Sequence, residues 1–358
     1  MARRTLPGSV RSDSVRSDSV RRQLKRRSSL SKTHIRGAGF LSSIKRWLLV
    51  LGVVMTLVFL GMSLRAYDQR VWKGHGRITF ALTTGQSTST SSGVYVVSFL
   101  ESEKAVSVVS FPAGIQVEAS GGHGSWKIES LFPLGELDGK GGELLRLSLS
   151  EFLGVPIQGW IVNEKIDPGM NRDEFIHDLQ RIFGKSIVAP KTTNLSLWDS
   201  FRLLSTMFLN TISVGDWVDL SQTKMLTQAR LPDGSQSYRA DPALVDRLSQ
   251  QLFSQPQLID ESLSIAVVNA TEHQGLGASA ARLIANSGGE IVGVSDKNQS
   301  SEETTIIVSS RENLTSFSAR FLSSLFLADH VSQGETIGER ADLVLVLGEE
   351  YYRFLAQP

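Results

Sequence analysis

The sequence predicts a mixed α/β (α+β) protein, with one transmembrane helix, a larger α/β lobe behind it and a small βαββαβ lobe at the C-terminus. Three observations carry this reading. Residues 47–64, WLLVLGVVMTLVFLGMSL, form an 18-residue run without a charge. From residue 77 onward, short runs rich in Val, Ile, Phe and Tyr alternate with amphipathic stretches and Gly/Ser/Pro punctuation. The last hundred or so residues show this alternation most clearly, in the order β, α, β, β, α, β. A length of 358 residues suits about two domains, and a hydrophobic fraction of 41% permits folded cores.

The charge is segregated. Residues 1–46 hold 13 Lys/Arg against two acids, Asp13 and Asp18, while the whole chain nets only +1. The body beyond is therefore acidic, at −10. Within the tail, Ser9 to Arg22 reads SVRSD-SVRSD-SVRR. Arg and Ser with almost nothing large and apolar bury too little surface to fold, so 1–46 is expected to be disordered. The expected partner of this tail is anionic lipid, at about 1 kcal/mol per base near the surface. Nucleic acid is disfavoured, because no aromatic residue interleaves the bases before Phe40.

The run at 47–64 spans roughly 27 Å as a helix, against a hydrocarbon core of ~30 Å. Lys45, Arg46 and Trp47 mark one interface, and Arg65, Tyr67 and Arg70 the other. Its length, and the lack of a small-x-small site after it, argue for an uncleaved anchor. The flanking 20 residues nearly tie in positive charge, five bases against four. The whole basic tail breaks the tie. The expectation is a single-pass cell-membrane protein with a cytoplasmic N-terminus and extracytoplasmic domains, for which the lipid bilayer is a partner.

In the larger lobe, 65–253, strands are predicted at 78–83, 94–99 and 106–110, and a helix at 142–153 stopped by Gly154 and Pro156. A strand follows at 158–163, then helices at 173–183 and 196–209. Residues 221–240 are polar and turn-marked. A helix at 241–253 leads into a linker, 254–262. Trp160, Trp198 and Trp217 read as core. In the small lobe, 263–358, strands at 263–268, 290–294, 304–309 and 341–347 alternate with helices at 277–286 and 314–327. That order predicts a ferredoxin-like split βαβ sandwich, with both helices on one face of a four-stranded sheet.

The segments IAVVNATEHQGLGASAARLIANSGGEIVGV (265–294), TTIIVSS (304–310) and ADLVLVLGEEY (341–351) resemble the LytR C-terminal domain family. Asn269, Thr271, Gly275, Gly277 and Gly348 anchor the match as turn and fold signatures. Upstream, VYVVSF (94–99), VSVVSFP (106–112), Trp126-Lys127-Ile128 and LGVPIQGWIVNE (153–164) resemble a weakened LytR-CpsA-Psr domain. That resemblance implies an extracytoplasmic place in moving glycopolymers from a polyprenyl-pyrophosphate lipid onto peptidoglycan.

The chemistry departs from the family. A pyrophosphate needs guanidinium forks and carboxylate-held Mg²⁺. The family's Arg-Ser-Asp-Thr is Thr90-Ser91-Ser92-Gly93 here, its Arg-Asp after the Pro is Ala113-Gly114, and the Asn after Lys-Ile is Glu129. Only Lys127 survives, and no Arg lies between Arg77 and Arg146. The expectation is a non-catalytic binding or scaffolding module of the cell envelope, without cofactor or metal, whose partners are envelope proteins or cell-wall glycan. The acidic body favours a protein or a neutral glycan over an anionic polymer. The alternative is an active phosphotransferase that uses Lys127 with Arg146 and Arg172, plus Mg²⁺.

Other chemistries are weaker. With no Cys there is no disulfide, thiolate metal site or Cys nucleophile. The six His show no zinc-binding spacing. Gly275-Leu276-Gly277-Ala278-Ser279-Ala280 matches a GxGxxA turn, but six residues separate it from the strand end, so it reads as a packing turn and not a dinucleotide site.

Overall fold

The computed structural model describes residues 76–356, apart from 165–166, 187–191, 210–211, 231–233, 235, 298 and 335–339, together with Leu51, Met55, Thr56 and Gly61. The basic tail and nearly all of the 47–64 run therefore lie outside the described residues. Among the described residues no helix is long and apolar enough to cross a membrane. The chain divides into two compact units, Met1–Arg65 and Ala66–Pro358. Only the second is described below.

The larger lobe is built on a five-stranded sheet in the order β6-β1-β2-β3-β7. β1 (Arg77–Thr83), β2 (Val94–Leu100) and β3 (Ala105–Ser110) form an antiparallel meander. β6 (Gly159–Val162) adds parallel to β1, and β7 (Ser213–Asp219) parallel to β3. Every residue of β1 and β2 is buried, because both faces of the sheet are covered. That is why VYVVSFL is nearly all apolar and why the polar side chains of Thr79 and Ser98 hydrogen-bond to each other, at 2.9 Å.

On one face, Val94, Val96 and Val109 pack against helices α1 (Ile128–Glu136), α2 (Gly141–Leu153) and α5 (Pro242–Phe253). On the other, Phe80, Tyr95, Val97 and Val108 meet α3 (Arg172–Ser186) and α4 (Leu197–Leu209). Phe80 and Phe183 pack edge to face at 5.5 Å. Two hairpins lie beside the sheet, β4 (Gln116–Ala119) with β5 (Gly124–Lys127), and β8 (Leu226–Arg230) with β9 (Gln236–Ala240). The second hairpin replaces the expected polar loop at 221–240. The expected linker contains α6 (Pro256–Glu261), which Pro256 starts at N1.

The small lobe corrects the ferredoxin-like prediction. Its five strands are β10 (Ser264–Asn269), β11 (Glu290–Asp296), β12 (Thr305–Val308), β13 (His330–Gln333) and β14 (Leu343–Leu347), in the order β11-β10-β14-β12-β13. β11 lies directly beside and parallel to β10, so that unit is not split. β12 and β13 form a second parallel pair. The last strand enters the centre, parallel to β10 and antiparallel to β12. Side-chain polarity explains the placement. LVLVL is buried at every position and suits only a central strand. β11 alternates exposed and half-buried positions, and β13 is mostly exposed, so both tolerate an edge.

Helices α7 (Leu276–Asn286), α8 (Phe317–Phe326) and α9 (Glu349–Ala356) share one core with Ile265, Ile306 and Leu345. The N-terminus of α8 is held by α6. Ser318 and Phe317 donate their amides to Glu261 at 2.7 and 2.6 Å, and the Ser318 hydroxyl donates at 2.6 Å. Burial works to raise the Glu261 pKa, but these bonds and Arg320 bring it below the ordinary carboxylate range. A depressed carboxyl stabilises the fold above its unfolded pKa, and that stability is lost as pH falls through the folded value. Glu261→Gln is therefore expected to melt lower than wild type at pH 7. The two curves should converge as pH falls through the lowered pKa of the folded state, as thermal unfolding across pH would show.

Candidate binding site between the two lobes

The two lobes are bolted together by side chains, not only by the linker. Arg282 on α7 donates to the Glu151 and Phe152 carbonyls at the end of α2, at 2.5 and 3.0 Å. A cation there meets the negative end of the helix dipole. Arg282 also pairs with Asp246 on α5 at 2.7 Å. Asn286, 1% exposed, donates to Asp246 and to the Leu153 carbonyl, and accepts from Gln250. Gly154 closes α2 in the left-handed conformation (φ 63°). A Cβ there would lie 2.5 Å from the Asn286 amide nitrogen.

Beside this bolt a cavity of about 1370 Å³ opens between the lobes. Its larger-lobe wall is α2 and residues 154–158. Its small-lobe wall is the turn before α7, with α8 and α9. Phe317, Phe321, Leu325 and Leu355 make it largely apolar, and Glu143, Arg146, Asn194 and Gln158 supply a polar corner. In that corner Glu143 accepts from Arg146 Nε at 2.8 Å, from Trp160 Nε1 at 2.9 Å and from Asn194 at 3.1 Å. Tyr351, on the opposing wall, is pushed to a higher pKa by burial, with the Arg146 charge working the other way.

The signature residues of the small lobe form the turn at this cavity's rim. Asn269 accepts from the Thr271 amide and hydroxyl, and donates to the His273 carbonyl and to Asp296. Gly275 occupies the left-handed region (φ 83°) just before α7. Gly277 lets that helix approach the strand, since a Cβ would sit 3.2 Å from the Asn269 Cβ. Gly348 donates to the Thr304 hydroxyl at 3.1 Å. The GxGxxA stretch is thus a packing turn.

The positions at which the sequence departs from the motifs it resembles surround the end of β3. Ser92 is buried, and its hydroxyl donates to the Phe111 carbonyl at 2.8 Å. Thr90 lies exposed in the preceding loop. Ala113 and Gly114 turn the chain after β3. The Gly114 amide donates to both Glu129 oxygens, at 3.2 and 3.1 Å. A carboxylate thus takes an amide beside the position where the resemblance would place an Arg-Asp pair.

Two cations of the enzymatic alternative, Arg146 and Arg172, are held at opposite edges of the sheet. Lys127 ends β5. Arg146 is held by Glu143 and donates to the Ile157 carbonyl at 2.9 Å, next to β6. Arg172 donates to the Val214 and Gly215 carbonyls of β7, at 2.9 and 3.1 Å. β6 and β7 are opposite edges of the sheet, four strand spacings or roughly 19 Å apart. Among the described residues no group of three or more His, Asp or Glu is placed to hold a metal.

The polar corner of the cavity was missed as a unit. Glu143, Trp160 and Asn194 are far apart in sequence, and no local spacing joins them. Trp198, expected in the core, is 43% exposed. Trp217 does pack beside Tyr95 and Phe175, at 6.4 and 5.2 Å.

A comparison with curated proteins returns no match. Among solved structures, a transcriptional regulator of Enterococcus faecalis is 13% identical, with 52% of this chain and 88% of that one covered and a TM-score of 0.38. TagT of Bacillus subtilis is 16% identical, covering 51% and 94%, with a TM-score of 0.36. The LytR-CPS2A-psr family protein YwtF (TagT) with bound octaprenyl pyrophosphate lipid is 15% identical, covering 51% and 93%, with a TM-score of 0.35. The small lobe carries the sequence-level identification: residues 262–351 match the family described as LytR cell envelope-related transcriptional attenuator.

Proposed function

We propose that this chain is a membrane-anchored, extracytoplasmic protein of the cell envelope, which acts as a non-catalytic binding or scaffolding module in processes related to cell-wall glycopolymer attachment. Its ligand, a neutral glycan or an envelope protein, enters the cavity between the lobes. The chargeless run at 47–64 supports the anchor, and the cell-envelope family match at 262–351 supports the setting.

The observation that carries the non-catalytic reading is the separation of Arg146 and Arg172 to opposite sheet edges, each already donating to backbone carbonyls. Two phosphates left without those guanidinium groups in a low-dielectric groove would cost several kcal/mol. Lys127 alone is a point charge without a fork.

The alternative, an Mg²⁺-dependent phosphotransferase that moves glycopolymer from polyprenyl pyrophosphate to peptidoglycan, makes the opposite prediction. Full-length protein in vesicles, given a polyprenyl-pyrophosphate-linked saccharide, Mg²⁺ and peptidoglycan, is expected to release no polyprenyl monophosphate and to form no saccharide phosphodiester on peptidoglycan. Lys127→Ala should leave lipid binding unchanged. Transfer that Lys127→Ala abolishes would establish the enzymatic reading instead.

A further inference from the structure

Helix α4 is apolar on two opposite faces. One face, Leu203, Thr206 and Met207, is buried against the sheet. The other carries Leu197, Trp198, Phe201, Phe208 and Leu209, exposed by 50%, 43%, 59%, 67% and 83%. At 3.6 residues per turn these five fall within roughly 120° of the helix surface. No charge interrupts them, since Asp199 is buried and Arg202 at the margin donates to Glu101 at 3.1 Å. A wide apolar stripe turned away from the core marks a surface that is covered in use.

The sheet topology places this face near the end of the lobe where the chain enters. Arg77 at the start of β1 lies opposite Leu100, and Ala105 lies opposite Leu100 and Ser213. The beginning of β1, the β2–β3 turn and the beginning of β7 therefore share one end of the sheet. α4 runs towards that end: Arg202 reaches Glu101 in the turn, and Leu209 precedes the start of β7. Phe208 and Leu209 thus lie at the end where the chain arrives from residue 76. β1 and β7 are three strand spacings apart, roughly 14 Å. The sequence leaves eleven residues, 65–75, between the chargeless run and Gly76. Eleven residues extend to at most about 40 Å.

We propose that the outer face of α4 inserts into the headgroup–acyl boundary of the bilayer that holds residues 47–64, an inference that rests on the membrane-anchor reading above. Trp and Phe are suited to that boundary, and a helix lying in its plane buries one apolar face there. The insertion holds the larger lobe flat against the membrane and gives the body a second attachment.

The test uses the full chain in protein-free phosphatidylcholine vesicles, with a single protease site placed between Arg65 and Gly76. After cleavage the wild-type body is expected to stay with the vesicles through a high-salt wash. With Phe201→Glu and Phe208→Glu together, the retained fraction should fall by about tenfold or more. Thermal unfolding of the double variant should match wild type, because both side chains point away from the core. Prompt release of the wild-type body, while the uncleaved chain resists carbonate extraction, would overturn the docking and leave the anchor standing. Release as a self-associated dimer would overturn it in favour of a second copy on this face. Carbonate extraction of the uncleaved chain would overturn the anchor, and the docking with it.

Discussion

Gly348→Ala is expected to destabilise the body by about 3 kcal/mol and to lower its melting temperature by roughly 6 °C or more. Gly348 sits between the last strand and the last helix. A Cβ there would lie 2.4 Å from the carbonyl carbon of Glu303, 2.5 Å from its oxygen and 2.7 Å from the Glu302 oxygen. These are backbone atoms, so no rotamer relieves the clash. The segment that would have to move is tied on both sides. Gly348 donates to Thr304, and the Glu349 and Glu350 amides donate to the Ser301 and Glu302 carbonyls. Moving it pulls β14 out of the centre of the small lobe's sheet. Gly275→Ala is the internal control. It meets strain at φ 83°, but nothing lies within 4 Å of the added carbon, so its cost should be only about 1 kcal/mol. Thermal unfolding of the two variants in parallel checks the order, and equal effects would show that steric contact does not decide it.

The same contrast shows which parts of the fold were legible in the sequence. Signature glycines in a turn announce a close approach, but not what is approached, because Glu302 and Glu303 lie over forty residues upstream. Strands buried on both faces, such as VYVVSF and LVLVL, are readable because short apolar runs rich in Val and aromatic or Leu side chains have few other uses. The β8–β9 hairpin, LTQAR and QSYRA, was not, since it is mostly polar with half its residues exposed and the pairing comes from backbone groups that composition does not report. α1 contains Pro133 and Gly135, both of which count against a helix locally, yet tertiary packing of Ile128 and Leu131 holds it. The brevity of β13, HVSQ, with one apolar residue in four, hid the strand whose absence suggested a split βαβ unit.

The candidate site was legible only in its losses. That Ala113-Gly114 stand where the resemblance would place an Arg-Asp pair can be read residue by residue. That Glu129 then turns onto the Gly114 amide requires the fold. Arg146 was nominated as a cation for phosphate, and its neighbours Glu143 and Ile157 assign it instead to the wall of the cavity. The cavity depends on two lobes docking, and no local pattern records a docking angle.

That docking is the subject of the second large effect. Asn286→Ala is expected to split a single unfolding transition into two, with a loss of about 2–3 kcal/mol from the docked state. Asn286 is 1% exposed and bonds to three groups on the larger lobe, Asp246, Gln250 and the Leu153 carbonyl. Its removal takes a partner from the buried Leu153 carbonyl, from the half-exposed Asp246 carboxylate and from the exposed Gln250 amide. Truncation also empties space that a neighbouring side chain cannot refill without disturbing Gly154 and Arg282, both packed against it. Each lobe keeps its own apolar core, around Val96, Phe80 and Tyr95 on one side and Ile265, Leu322 and Leu345 on the other. The variant should therefore lose coupling before it loses structure. Calorimetry would show two resolved peaks, with the calorimetric enthalpy exceeding the van't Hoff value. Adding Asp246→Ala should cost much less than its single-variant effect, because the two side chains share a bond and their effects are not additive. A double variant whose loss equals the sum of the singles would show that the Asn286–Asp246 pair does not hold the lobes, and would leave the Arg282 contacts with the end of α2 as the coupling that defines the cavity.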